Sequence, residues 1–142
     1  MKLGIQRLQE DAILPTRAHD TDAGLDLASN IDATVGVRSR VTIGTGIAIA
    51  LPAGTAGLIY PRSGLASRYG LSLSNSVGVI DSDYRGEVML TVINHGTRPF
   101  TIHQGMRVAQ MIITPYYAPE LVEVDDLDNT ARGSNGLGSS GL

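Results

Sequence analysis

No stretch of the chain keeps a helical period over ten or more residues; short β-prone runs follow one another instead, each cut off by glycine, proline or a polar cluster. A helix needs a sustained apolar stripe, whereas a strand needs only about four to eight residues. The chain is therefore restricted to an all-β fold. Residues 3–8 alternate apolar with polar and read as a first strand, and 12–18, with Pro15, read as extended. A polar loop from His19 enters a short strand ending at Ala28, and residues 34–37 and 40–43 follow as brief β pieces. Gly44 and Gly46 interrupt the pattern as bulges or close backbone approaches do. Residues 47–51 continue as strand to a turn at Pro52-Ala53-Gly54. Residues 56–60, 71–76, 87–94, 100–103, 107–117 and 121–124 supply the remaining strands. Only residues 61–70 suggest a helix, of one or two turns. About ten short strands at close spacing predict a β-sandwich or barrel.

The length of 142 residues suits one domain, and a 42% hydrophobic fraction is enough for its core. The C-terminal end differs in composition. Residues 125–130 are acidic and polar, and 132–141 consist mainly of glycine and serine with one arginine, Arg132. Such a segment buries little and reads as a flexible tail. It is also rich in backbone N–H and hydroxyl donors, which can wrap an anion. A net charge of −3 without a long basic run argues against a nucleic-acid partner. The longest apolar run is too short to span a bilayer, so no membrane association is expected. Cysteine is absent, which removes disulfides, thiol nucleophiles and Cys-ligated zinc, and suits a reducing, cytoplasmic compartment. The first residues lack an apolar core behind a basic start, so no signal peptide is expected.

The densest polar chemistry lies in Gly78-Val79-Ile80-Asp81-Ser82-Asp83-Tyr84-Arg85-Gly86. One apolar run leads in and another leads out, which predicts a β-hairpin or a tight corner. Asp81 and Asp83 are two apart, so in an extended chain both point to one face. The plain alternative is a solvated acidic turn. Mutual repulsion of the carboxylates instead calls for a cation or a polarised water beside them, and makes the segment a candidate site.

Four other segments also combine small residues with one or two charged ones: 23–28, 61–66, 107–110 and 132–141. Together, and in order, the five resemble the five motifs of the trimeric dUTPase family, the deoxyuridine 5′-triphosphate nucleotidohydrolases. The resemblance spans nearly the whole chain. It implies a jelly-roll-like β subunit in a homotrimer, with each active site assembled from three chains. A single β domain over residues 1–130 would carry a flexible C-terminal tail, 131–142, that closes over the site. The implied reaction cleaves dUTP between its α and β phosphates to give dUMP and pyrophosphate. It limits uracil in DNA and supplies the precursor of thymidylate.

The resemblance also implies roles. Asp81 matches the acid that orients and deprotonates the attacking water, which geometry must make favourable for an ionised aspartate. Tyr84 matches the tyrosine that packs on deoxyribose and discriminates against a 2′-hydroxyl. Asn75, six residues before Asp81, matches the uracil-reading asparagine, within a short β-hairpin whose main chain also reads the base. Val79, Ile80 and Met89 match further pocket positions, and equally suit a core. Arg62, Ser63 and Gly64 match the phosphate-contacting second motif. Ser63 would donate to an oxygen at the α–β bridge, where charge develops, and Gly64 would let backbone approach. Gln110 matches another phosphate-reaching position, and Asp26 with Arg107 a supporting ion pair. Arg132, Gly138 and Ser139 match the tail's phosphate-binding residues. Leu137 stands where many members of the family have an aromatic ring over uracil; leucine covers a base but cannot stack on it.

His19, His95 and His103 are scattered, so no zinc site is expected. Magnesium prefers phosphate oxygens and waters to an all-protein cage. The family follows that rule, implying Mg2+ on the triphosphate with no direct protein ligand. One competing reading is dCTP deaminase, which shares the fold. It needs an acid/base group at the amino-bearing carbon, and residues 71–81 hold no extra glutamate. The other is a non-catalytic jelly-roll module that binds a protein or sugar.

Overall fold

The structure, a computed structural model, describes residues 1–137. In chain order its elements are β1 (Gly4–Arg7), β2 (Leu25–Ala28), β3 (Ala33–Val35), β4 (Arg40–Ala50), β5 (Thr55–Pro61), α1 (Ser63–Tyr69), β6 (Leu71–Leu73), β7 (Gly78–Ile80), β8 (Glu87–Asn94), β9 (Phe100–Ile102) and β10 (Arg107–Pro115). One four-stranded sheet has the order β1-β4-β8-β6, a second the order β2-β10-β5-β7, and β3-β9 form a two-stranded ribbon. The strands form the sandwich expected from their pattern, in the jelly-roll-like arrangement that the family resemblance implied. No helix among the described residues is long and apolar enough to cross a membrane.

The core follows from alternation. Along β8 every second side chain is buried, so Val88, Leu90 and Val92 point inward, joined by the fully buried Asn94. They pack with Ile43, Ile47 and Ile49 of β4, Leu27 of β2 and Met111 of β10. Burial of the polar Asn94 is compensated: its amide donates to Val35 O and Arg98 O, and its oxygen accepts from Gly96 N.

The two β pieces expected at 40–43 and 47–51 are parts of one strand, β4. The glycines between them mark a bulge, where the register against β8 shifts between Gly44 and Ala48. Gly46 has a φ of +69°, and a Cβ there would lie 2.7 Å from Ala12 Cβ. Glycine therefore serves both backbone and packing at this point.

The Asp81-containing segment is a corner and not a hairpin. β7 pairs with β5 in the second sheet, while β8 pairs with β4 and β6 in the first. The chain crosses between sheets here. The connection before it crosses too, because β6 and β7 also lie in different sheets; the hairpin expected around Asn75 is therefore absent. The strand expected at 121–124 does not form either: Leu121, Val122 and Val124 are exposed. A strand is held by N–H and C=O groups of a neighbouring edge, and none is paired with this one.

Candidate functional site

The site residues fall into two clefts. The first, about 510 Å³, lies where β2, β5 and α1 meet β10. β10 sits between β2 and β5, with Gln110 opposite both Asp26 and Tyr60. That placement brings together Asp26 of β2, Arg62 after β5 and Arg107 at the start of β10. Asp26 Oδ1 is 3.1 Å from Arg62 Nε, and Asp26 Oδ2 is 3.0 Å from Arg107 Nη1. Arg62 Nη1 also donates to Arg107 O at 3.0 Å. The expected Asp26–Arg107 pair is present, but sequence reasoning missed that Arg62 shares the same carboxylate. With Arg68 and Asp22, which also line the cleft, these groups comprise three arginines and two aspartates, and the single positive charge in excess favours an anion.

Ser63 and Gly64 form the exposed first turn of α1, which no side chain caps and which holds no acidic residue. A Cβ at Gly64 would meet nothing within 4 Å, so this backbone faces open space. Gln110 Nε2 donates to Pro61 O at 3.1 Å, and its Oε1 would lie 2.6 Å from a Cβ at Gly24. The glutamine is thus fixed to the end of β5 and packs closely against Gly24.

The second cleft, about 220 Å³, gathers Asn75, Val79, Ile80, Asp81, Tyr84 and Met89, together with Ile59 and Glu87, which sequence reasoning did not single out. Ile80 belongs to the core at 8% exposure, while Val79 and Met89 are 64% and 47% exposed and serve as wall. The pocket reading and the core reading are thus divided among the three. Asn75 lies in a tight turn, with Val77 N donating to Asn75 O at 2.7 Å and Ser76 at a φ of +63°. Asp81 is exposed at the start of a turn closed by Tyr84 N donating to Asp81 O at 3.2 Å. This turn breaks the extended geometry in which Asp81 and Asp83 would share a face. The Tyr84 hydroxyl donates to Glu87 O at 2.9 Å.

The two clefts share no lining residue. The described tail residues join neither: Arg132 Nε donates to Asn135 O within its own turn, and Leu137 is fully exposed. Gly138 and Ser139 lie outside the described residues. Of the histidines, His103 faces Asp32 at 3.7 Å on the surface, and His19 and His95 are exposed and line neither cleft.

The backbone matches solved β-fold nucleotide hydrolases. A mutant dUTPase of Staphylococcus bacteriophage 80alpha, solved with dUpNHpp, superposes with a TM-score of 0.92 at 28% identity, covering 99% of both chains. A mutant dUTPase of phage phi11 of S. aureus, described with a structural Mg(II) ion, matches with a TM-score of 0.83 at 27% identity over 89% of this chain and 98% of that one. Among curated proteins, a deoxyuridine 5′-triphosphate nucleotidohydrolase of Nocardia farcinica is 48% identical over 96% of this chain and 84% of its own length. The same enzyme of Corynebacterium glutamicum is 49% identical over 96% of this chain and 93% of its own. The dUTPase family model matches residues 10–141. The chain belongs to the dUTPase family.

Proposed function

We propose that the chain hydrolyses dUTP to dUMP and pyrophosphate, as a homotrimer whose active sites each join the cationic cleft of one subunit to the nucleoside cleft of another. The observation that carries this reading is the division of labour between the clefts. Residues matched to phosphate binding converge in one, those matched to the nucleoside and the attacking water converge in the other, and the two share no wall. A triphosphate ester needs both kinds of surface at once. Two copies can supply what one chain keeps apart.

In this reading uracil enters the second cleft beside Asn75, between Val79 and Met89, with its deoxyribose on Tyr84. Arg62, Ser63, Gly64 and Gln110 of the other subunit hold the phosphates. Asp81, exposed at the cleft rim, orients a water and takes its proton as the water oxygen bonds to the α-phosphorus. The bond from the α-phosphorus to the bridging oxygen breaks, and pyrophosphate leaves with that electron pair. Ser63 donates to the bridging side as its charge grows. In this reading Mg2+ is held by phosphate oxygens and water, which it prefers to an all-protein cage. When bound there, the ion neutralises charge on the phosphates.

The tail completes the site by reaching over a substrate bound between other subunits, bringing Arg132, Gly138 and Ser139 to phosphate and Leu137 to the base. The exposure of Leu137 in the single chain, with Leu121, Val122 and Val124 also exposed, supports a partner-dependent role. The division into a domain over residues 1–130 and a tail over 131–142, like the cytoplasmic setting, belongs to the same reading.

Subunit complementation tests it. Asp81→Asn disables the nucleoside cleft, and Ser63→Ala together with Arg62→Ala disables the phosphate cleft. Each variant alone should be nearly inactive on dUTP. Unfolding and refolding them together should restore turnover, because mixed trimers contain some intact composite sites. A mixture no more active than its parents rules out sites shared between chains.

A further inference from the structure

Tyr84 is held from two sides in the single chain, and one of those sides is the empty face of Gly86. A Cβ at Gly86 would lie 2.6 Å from Tyr84 Cζ and 3.0 Å from Cε2, and nearer still to the hydroxyl oxygen. Carbon atoms in ordinary contact sit about 3.5–4.0 Å apart. The ring therefore occupies the space that any other residue at 86 would fill. Gly86 does not share the positive φ of Gly46, Gly54, Gly70, Gly105 and Gly133. An alanine there meets no left-handed backbone, and its nearest collisions are all with the tyrosine ring.

The other side is Glu87, whose carbonyl accepts the Tyr84 hydroxyl at 2.9 Å. Glu87 is itself anchored across the sheet, with its Oε1 accepting from Gly46 N at 2.7 Å. The carboxylate fits because Gly44 has no side chain; a Cβ at 44 would lie 3.2 Å from Glu87 Cδ. The β4 bulge, Glu87 and Gly86 thus form one support beneath the ring. Tyr84 and Glu87 both line the nucleoside cleft, so the support fixes a wall of that cleft.

We infer that Gly86 is the positioning residue that seats the Tyr84 ring, and that through the ring it sets selectivity for deoxyribose over ribose. The second half rests on the reading of Tyr84 as the sugar-facing residue. A ring seated on Gly86 and tethered through its hydroxyl to Glu87 O keeps one position against the sugar, whereas a Cβ at 86 displaces it from that position and loosens the fit that rejects a 2′-hydroxyl.

The test is a cycle of Gly86→Ala, Tyr84→Ala and the double variant, with three readouts. These are kcat/KM for dUTP relative to UTP, the melting temperature, and the crystallographic position of the Tyr84 ring. Gly86→Ala should displace the ring and lower the dUTP-to-UTP ratio by about tenfold or more, since a misplacement near 1 Å costs up to about a hundredfold. Added to Tyr84→Ala, it should change neither the ratio nor the melting temperature, because no ring remains to displace. An unmoved ring with an unchanged ratio in Gly86→Ala overturns the proposal. So does an equal loss from Gly86→Ala with and without the ring, which would mean that position 86 acts through its backbone. If Gly86→Ala folds only when Tyr84→Ala accompanies it, that rescue is the coupling expected. If Tyr84→Ala leaves the ratio unchanged, the sugar-facing reading falls and the selectivity claim with it. The ring position and the melting temperatures then still decide whether Gly86 seats the ring.

Discussion

Asp81 sits at the rim of the nucleoside cleft, with its carboxylate exposed and its carbonyl closing the turn to Tyr84. Changing it to asparagine keeps that backbone turn and removes only the proton acceptor. Asp81→Asn should therefore bind a non-hydrolysable dUTP analogue nearly as the parent does, while single-turnover hydrolysis slows roughly a hundredfold or more. Near-parental turnover would remove Asp81 from the chemistry. At this scale the residue types were legible, since each matched a position in an ordered set of motifs. Their partners were not. Asp26 could be paired with Arg107 on motif grounds, but its second partner Arg62 depends on β10 lying between β2 and β5. Nothing in the spacing of these residues along the chain fixes that order. Gly86 was visible only as the end of a turn, because the ring above it comes from tertiary geometry.

Among the elements, α1 presents Ser63 and Gly64 to the cationic cleft, and its far end is fixed by Gly70. Gly70 has a φ of +72°, and its N–H donates to Ala66 O as the helix closes. A Cβ there would lie 2.6 Å from Gly96 N, a backbone atom that cannot swing aside. Gly70→Ala should thus lower unfolding stability by about 1–3 kcal/mol, the range for a left-handed non-glycine residue with added crowding. Chemical denaturation measures it, and an unchanged midpoint would contradict this account of the helix end. The short helix itself could be read from the sequence, as could nearly every strand, because β-prone runs bounded by glycine, proline or polar residues mark them. Sheet membership could not be read. The apolar runs on either side of Asp81 look like the arms of a hairpin, but β7 and β8 belong to opposite sheets. A corner and a hairpin share the same local signal of polar, glycine-bounded residues.

For the whole molecule, the described residues after Pro115 form no strand, and Tyr117, Leu121 and Leu127 are largely exposed. Removing everything after Thr130 takes away Arg132 and Leu137, which touch neither cleft in the single chain. The shortened protein should melt at the temperature of the full chain, while dUTP turnover collapses. Retention of most turnover would show that the tail has no part in the site. The strand expected at 121–124 was misread for a reason that belongs to this scale. Leu121-Val122-Glu123-Val124 is β-prone in composition, but among the described residues no strand edge pairs with it. The resemblance to a trimeric family supplied what one sequence cannot display, and light scattering of the purified protein measures the assembly directly.

Hydrolysis of dUTP is read out by the release of pyrophosphate. The purified chain, given Mg2+ and each of dUTP, UTP, dCTP and dTTP in turn, should release pyrophosphate and dUMP from dUTP far faster than it releases pyrophosphate from the other three. Absence of pyrophosphate from dUTP, or release of ammonia from dCTP in its place, would contradict it.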